Sequence, residues 1–277
     1  MEIAPDAHMG LVELSVSDLD RSLAYWQDAI GLRVLARENG TAELGVDAPL
    51  LRFVEEPGAR PADGFAGLFH VALLVPDRRS LGRFLAHAAR EQIPLEGLSD
   101  HDVSEAIYLR DPDRHGIELY ADRPRELWEG KVARGMTTMP LDTEDLLGEL
   151  PDAAADPFAG LPAGTRMGHV HLRVAAIPET VAFYRDVVGF GVEALIGAQA
   201  AFLAAGGYHH HLGANTWESA GAPAAPPGTA TLTRMTILVP DAGTVDAVAE
   251  RAGAKPGPEG LALQDPSGNP VLVAPAA

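Results

Sequence analysis

Apolar residues alternate along the start of the chain: Val12, Leu14 and Val16 fall on one side of an extended segment. A period of two predicts a strand with one buried face. The pattern then becomes that of an amphipathic helix and stops at Gly31, a residue suited to a left-handed helix end. The same order recurs later. Residues 9–32 align without a gap on residues 167–190, with Val170, Leu172 and Val174 as the strand face and Gly189 as the stop. A second pair of repeats begins at His70 and Arg234, where residues 70–77 match residues 234–241. Helical stretches follow near Ser80–Gln92 and Gly243–Ala252. Each copy then closes with a turn and strand, 111–120 and 265–273, opened by Asp111-Pro112 and Asp265-Pro266 with a glycine close behind. Asp-Pro followed by Gly is strong turn chemistry.

Internal repetition of this kind predicts an α+β chain of four units, each strand–helix–three strands, at about 9–58, 67–122, 166–219 and 230–275. The first two units define an N-terminal domain, 1–125, and the last two a C-terminal domain, 166–277. Residues 126–165 join them as an acidic, Pro- and Ala-rich linker, with a short helix expected near 143–150 and packing on the surface. The Ala/Pro/Gly run at 220–229 reads as a loop.

Composition narrows the chemistry. The chain of 277 residues contains no cysteine, which excludes disulfides, thiolate metal sites and a cysteine nucleophile. A metal would have to be held by nitrogen and oxygen. Asp and Glu outnumber Lys and Arg by 39 to 21, giving a formal charge of −18. Such a surface repels phosphate backbones and anionic lipid, so neither nucleic acid nor membrane is expected as a partner. With no apolar run long enough to span a bilayer and no secretory signal pattern at the start, a cytoplasmic location is expected.

A strand that packs one face on helices leaves the other face free to line a cavity. In the third unit that free face carries His169, His171 and Arg173. In the second unit the core face is Val71, Leu73 and Val75, so His70 points the other way. Its last strand buries Ile117 and Leu119, which puts Glu118 on the cavity side. Each residue taken alone could face solvent. As a set they are more pointed, because His70 and His169 hold the same register in their repeats and Glu118 closes the unit that His70 opens. Two histidines and one carboxylate leave open positions on a divalent metal. That suits non-haem Fe(II) chemistry with O₂, and equally Mn(II) or Zn(II) acting as a Lewis acid. The third unit also carries three consecutive histidines, His209, His210 and His211. Read as a strand, His209 and His211 face one side and His210 the other; parity leaves open which side meets the metal. The other reading of this run is a polar edge strand.

These segments resemble the vicinal oxygen chelate superfamily: glyoxalases, bleomycin-resistance proteins and type I extradiol dioxygenases. The most specific stretches are 67–78, 100–113, 116–124 and 207–213, and the likeness is closest to the catechol 2,3-dioxygenase branch. It implies βαβββ units that combine into two cupped mixed β-sheets with helices outside. It places metal ligands at His70, Glu118 and His169, an acid/base histidine at His210, and substrate- or oxygen-binding groups at Tyr108 and His101. It implies Fe(II), with Mn(II), Zn(II) or Ni(II) as alternatives, and extradiol cleavage of a small aromatic diol by O₂. A homo-oligomer is compatible with such sheets.

The chain departs from the family pattern in one respect. Many extradiol enzymes keep the whole site in the C-terminal half, but here Arg234 and Leu272 occupy two of those ligand positions, and Leu11 stands where His169 has its N-terminal counterpart. Neither half can build the triad alone. Units two and three together can, which leaves units one and four with a dead pseudo-site. Two other functions fit the same residues: a non-oxidative glyoxalase-like metalloenzyme, either an isomerase or a thiol transferase, and a metal-free protein that sequesters an aromatic compound.

Overall fold

In the computed structural model, which describes residues 2–150 and 157–276, the first unit runs through β1 (His8–Val16), α1 (Leu19–Tyr25), β2 (Arg33–Glu38), β3 (Thr41–Gly45) and β4 (Pro49–Glu55). A short β5 (Arg60–Pro61) leads into the second: β6 (Gly67–Leu74), α2 (Arg78–Arg90), β7 (Gly97–Asp100), β8 (Ser104–Arg110) and β9 (Gly116–Asp122). The connecting stretch holds α3 (Arg125–Trp128), α4 (Val132–Gly135), β10 (Met139–Pro140) and α5 (Thr143–Gly148). The third unit is β11 (Arg166–Arg173), α6 (Ile177–Ala182), β12 (Gly191–Ile196), β13 (Ala200–Ala204) and β14 (Leu212–Asn215). After β15 (Thr229–Ala230) comes the fourth, β16 (Leu232–Val239), α7 (Ala242–Ala252), β17 (Leu261–Gln264) and β18 (Pro270–Pro275).

Helix ends follow their capping chemistry. Asp77 accepts from the Ser80 amide at 2.7 Å and Asp241 from the Thr244 amide at 2.8 Å, so α2 and α7 start slightly earlier than the apolar pattern suggests. Gly31 and Gly189 stop their helices at φ of 89° and 100°. One feature is absent from the periodicity. The last turns before these glycines, Trp26–Ile30 and Phe183–Val188, are π-helical, with each glycine amide reaching back five residues to the Trp26 or Tyr184 carbonyl.

The fourth unit differs from expectation, since only β17 and β18 follow its helix among the described residues. Beyond the left-handed Gly253 the chain runs through Pro256 and Pro258. These residues lack the amide hydrogen a ladder needs, and what forms instead is a tight turn bridging Gly257 and Gly260. In the linker α5 lies where a helix was expected; Trp128, Val132, Leu141 and Leu146 are buried and anchor the segment, while Leu127, Met139 and Leu147 stay exposed.

Among the described residues two large mixed sheets form, beside a two-stranded pairing of β5 with β15. One has seven strands in the order β17-β18-β16-β1-β4-β3-β2 and joins the first unit to the fourth. The other has nine, β10-β7-β8-β9-β6-β11-β14-β13-β12, and joins the second to the third. The central seam of each is antiparallel, β1 against β16 and β6 against β11. The apolar strand faces, among them Leu14, Val71, Leu172 and Ile237, share one core with helix residues such as Phe84 and Val248.

Buried polar turns tie the sheets together. The Asp111 carboxylate accepts from the Asp113 and His115 amides at 2.9 and 2.8 Å and from the Trp26 indole of the first unit at 3.2 Å. Asp265 repeats this, accepting from the Ser267 and Asn269 amides, both at 2.8 Å, and from the Tyr184 hydroxyl of the third unit at 3.2 Å. The π-turns bring those aromatic donors to the carboxylates. Replacing Asp265 with Ala strands several buried donors. It should lower stability by about 3 kcal/mol, read as a reduced midpoint in urea unfolding; an unmoved midpoint would show that the turn needs no such anchor.

Candidate metal centre

Strand register decides which side chains meet. On β6, His70 and Ala72 face the same side. Ala72 lies opposite His169 on β11 and beside Glu118 on the parallel β9. The small Ala72 methyl therefore sits under a gap into which His70, Glu118 and His169 converge from three adjacent strands. All three are buried. His70 Nε2 lies 2.9 Å and His169 Nε2 3.1 Å from Glu118 Oε2, and the two nitrogens are 3.3 Å apart. Among the described residues this is the one group of His, Asp and Glu side chains close enough to share an ion.

The donor set fits a divalent metal. Nitrogen and oxygen ligands lie about 2.1 Å from such an ion, so two of them at right angles are about 3.0 Å apart. The three separations cluster around that figure, and all three residues come from one side, which leaves the cavity side free. Protonation also fits, because metal ligands must be deprotonated. Burial works against an ionised Glu118, but His169 and His70 outweigh it and hold the carboxyl well below its usual range. Burial lowers His169 to about 4 despite the opposing pull of Glu118. Glu118 is thus a carboxylate and His169 a neutral imidazole. His169 Nδ1 is buried without a hydrogen-bond partner among the described residues. Its ring is held by packing instead, with Tyr120 at 4.9 Å and His210 at 4.0 Å between centroids. Gly168 permits this, since a Cβ there would lie 1.9 Å from the Tyr120 hydroxyl oxygen.

The cluster closes one end of a cavity of about 350 Å³. Tyr108 sits across the β8–β9 ladder from Glu118 and lines that cavity. Its hydroxyl is 2.7 Å from His101 Nε2, and His101 Nδ1 is 2.6 Å from the Thr137 carbonyl. Burial, with Glu118 nearby, pushes the Tyr108 phenol well up. His210 lines the opposite side and is driven well down by burial and by the surrounding histidines. His171 is also in the lining, whereas Arg173, from the same strand face, is not; it lies 3.6 Å from Glu218.

The triple-histidine run is not a strand. Gly206 and Gly207, at φ of 60° and 65°, turn the chain, and β14 begins only at Leu212. Each imidazole then takes its own direction: His210 into the cavity, His209 to Asp122 at 2.8 Å, and His211 under the Ala205 amide. Strand parity could not have sorted them. The edge-strand alternative fails too, because the run lies outside the strands and all three histidines are buried.

Several lining residues carried no signal in the sequence: Phe202, Ile196 and Trp217, together with Met136 and Thr137 of the linker. They stand in no motif and come from separate segments of the chain. Asp122 was within reach, being four residues past Glu118 in the same strand.

In the other sheet the positions matching this site are filled differently. Arg234 stands where His70 does and binds Glu13 at 2.5 Å and Glu259 at 2.7 Å, while Leu11 and Leu272 replace the other two ligands. An ion pair occupies the place of the cluster.

Known sequences place this architecture. The sequence pattern of the Glyoxalase/Bleomycin resistance protein/Dioxygenase superfamily matches residues 8–119 and 166–271. The chain belongs to this superfamily. It is 42% identical over 258 residues to the catechol-2,3-dioxygenase of Bacillus subtilis (strain 168), covering 90% of this chain and 88% of that one. A shorter stretch of 107 residues, 38% of this chain and 76% of the relative, is 26% identical to metallothiol transferase FosB of Lysinibacillus sphaericus (strain C3-41). Glyoxalase I from Zea mays shares the fold, with a TM-score of 0.59 at 16% identity over 98% of this chain and 92% of that one. The superfamily chain described here thus carries a His/His/Glu site able to coordinate a divalent metal ion. No helix among the described residues is long and apolar enough to cross a membrane.

Two measurements follow from the site. Loaded protein should contain one divalent ion per chain by elemental analysis, and Glu118→Ala should lose at least 90% of it (roughly a tenfold loss of affinity or more). Retention by that variant would place the ion elsewhere. The second concerns acid. Burial holds His169 at about 4 and His211 at about 3, against about 6.5 in an unfolded chain. Below about pH 6.5 the unfolded state therefore binds protons that the folded state refuses, and stability drains as pH falls towards the folded values. Thermal midpoints of the metal-free protein should drop between pH 7 and 5, with a shallower drop in His211→Gln; equal slopes would contradict it.

Proposed function

We propose that this chain is a metal-dependent extradiol ring-cleaving dioxygenase that acts on a catechol-type aromatic with O₂, at a single site formed by the second and third units. The observation that carries the reading is the convergence of His70, Glu118 and His169 at the end of a cavity flanked by Tyr108–His101 on one side and His210 on the other. Identity of 42% to a catechol-2,3-dioxygenase over most of the chain supports it.

A divalent ion held by these three residues supplies Lewis acidity that makes a bound diol acidic and, when it is Fe(II), redox chemistry with O₂. The protein's own groups do the rest. His210, kept neutral by burial, is a base for a diol proton. His101 donates its Nδ1 hydrogen to the Thr137 carbonyl, which can only accept, so its Nε2 takes the Tyr108 hydroxyl hydrogen. Tyr108 then offers the cavity an oxygen lone pair, and its raised pKa keeps it protonated while the substrate oxygen gives up its hydrogen. Thr137 ties this pair to the linker, making the linker part of the site. Phe69 and Phe202 pack against His70 and His210 at 5.3 and 5.1 Å between centroids and keep the reacting end dry.

A second reading, a non-oxidative glyoxalase-like metalloenzyme, draws support from the partial likeness to a metallothiol transferase. One experiment separates them. Protein reconstituted anaerobically with Fe(II) and mixed with aerated catechol should take up O₂ and release a yellow ring-opened product. Glu118→Ala should abolish uptake, and His210→Gln should lower kcat by about 10²–10⁴. Stoichiometric metal with no uptake, together with activity under Ni(II) or Mn(II) without O₂, would establish the second reading; absence of bound metal would point to a binding protein.

A further inference from the structure

One carboxylate near the site is used by neither the ligand set nor the cavity wall. Asp122 ends β9, four residues beyond Glu118. Its Oδ1 lies 2.8 Å from His209 Nε2, and both its oxygens lie 3.1 Å from the Tyr208 hydroxyl. His209 is fully buried, and its other nitrogen, Nδ1, is 2.8 Å from Nδ1 of His210. The Tyr208 hydroxyl is in turn 2.8 Å from that of Tyr120, the ring packed against His169.

With both imidazoles neutral, hydrogen-bond chemistry gives these groups one direction. A carboxylate only accepts, so His209 donates from Nε2 and Tyr208 donates from its hydroxyl. A neutral His209 then has a bare Nδ1. Two nitrogens 2.8 Å apart need one hydrogen between them, and it must belong to His210. The remaining nitrogen of His210, Nε2, is left bare. In the opposite arrangement His210 would carry its hydrogen on Nε2 and could not accept a proton there. The tautomer of a histidine is set by the bond its far nitrogen makes. Packing holds the relay still: the Tyr208 ring lies 4.0 Å and the Trp128 ring 5.4 Å from that of His209.

We propose that Asp122 is a positioning residue which, through His209, fixes His210 as the tautomer with its hydrogen on Nδ1 and a bare Nε2. Its effect on turnover rests on the reading of His210 as the base, whereas the tautomer does not. Asp122→Asn tests both. The amide matches the carboxylate in shape, keeps an acceptor for Tyr208 and presents a donor to His209. His209 then has to donate from Nδ1, and His210 is forced to carry its hydrogen on Nε2. An Asp-to-Asn change behind a histidine base costs turnover through the wrong tautomer in just this way.

The direct readout is long-range ¹H–¹⁵N correlation spectroscopy of ¹⁵N-histidine protein at pH 7, metal-free and Zn(II)-loaded, with His209→Gln and His210→Gln used to assign signals. The wild type should show His210 protonated at Nδ1 and His209 at Nε2, with both reversed in Asp122→Asn. In the Fe(II) protein that variant should lower kcat for catechol by about 10- to 100-fold while KM moves less than about threefold. Asp122→Glu, which restores an acceptor-only group, should recover the wild-type tautomers. A wild-type His210 protonated at Nε2, or unchanged tautomers in Asp122→Asn, would overturn the proposal. Reversed tautomers with undiminished turnover would uphold the positioning of His210 and overturn its role as the base.

Discussion

The arrangement of the site depends on the cost of burying Glu118. An ionised carboxyl out of water is unfavourable unless it is paired. Here the pairing comes from His70 on its own unit and His169 on the next. Neither partner alone surrounds it, so the β6–β11 seam that brings His169 over Ala72 is what makes the carboxylate tolerable. With the ring hydrogens of His70 and His169 moved to Nδ1, the same three groups would turn lone pairs on one point, where a divalent ion would take their place as the carboxylate's partner. Stability of the seam and competence of the site are therefore two aspects of one electrostatic requirement.

The other seam meets a comparable requirement by a different route. Glu13 and Arg234, opposite each other on β1 and β16, neutralise each other directly. An acid and a base close the place that two bases and an acid leave open for a metal. Duplicated architecture has thus been used once for chemistry and once for structure, and the difference lies in a few side chains on otherwise matching strands. The buried Asp111 and Asp265 turns, with their Trp26 and Tyr184 donors, are preserved in both halves because each half needs its units joined whatever its site does.

Around the ligands, the polar groups form two separate chains. Tyr108, His101 and Thr137 reach into the linker, while His210, His209 and Asp122 run back to the end of β9. Both end on groups that only accept, a carbonyl in one case and a carboxylate in the other. Each chain of hydrogen atoms is thereby oriented from outside the cavity, and the histidine nearest the cavity does not choose its own tautomer.

Much of this was written in the sequence. Alternation of Val71, Leu73 and Val75, of Ile117 and Leu119, and of Val170, Leu172 and Val174 determined the strands and their buried faces. It thereby also fixed that His70, Glu118 and His169 point away from the core, because side chains on a strand alternate regardless of what lies beyond it. The absence of cysteine restricted the ligand set to nitrogen and oxygen. Only the tertiary structure decided the rest. Which units share a sheet is a matter of long-range pairing, invisible to local periodicity. The directions of His209, His210 and His211 come from a glycine turn that breaks the parity rule. The short fourth unit follows from prolines that cannot join a ladder. The cavity wall of Phe202, Ile196, Trp217 and Met136 has no local signature at all, since apolar residues from distant segments become a surface only when the sheet that carries them has closed around the site.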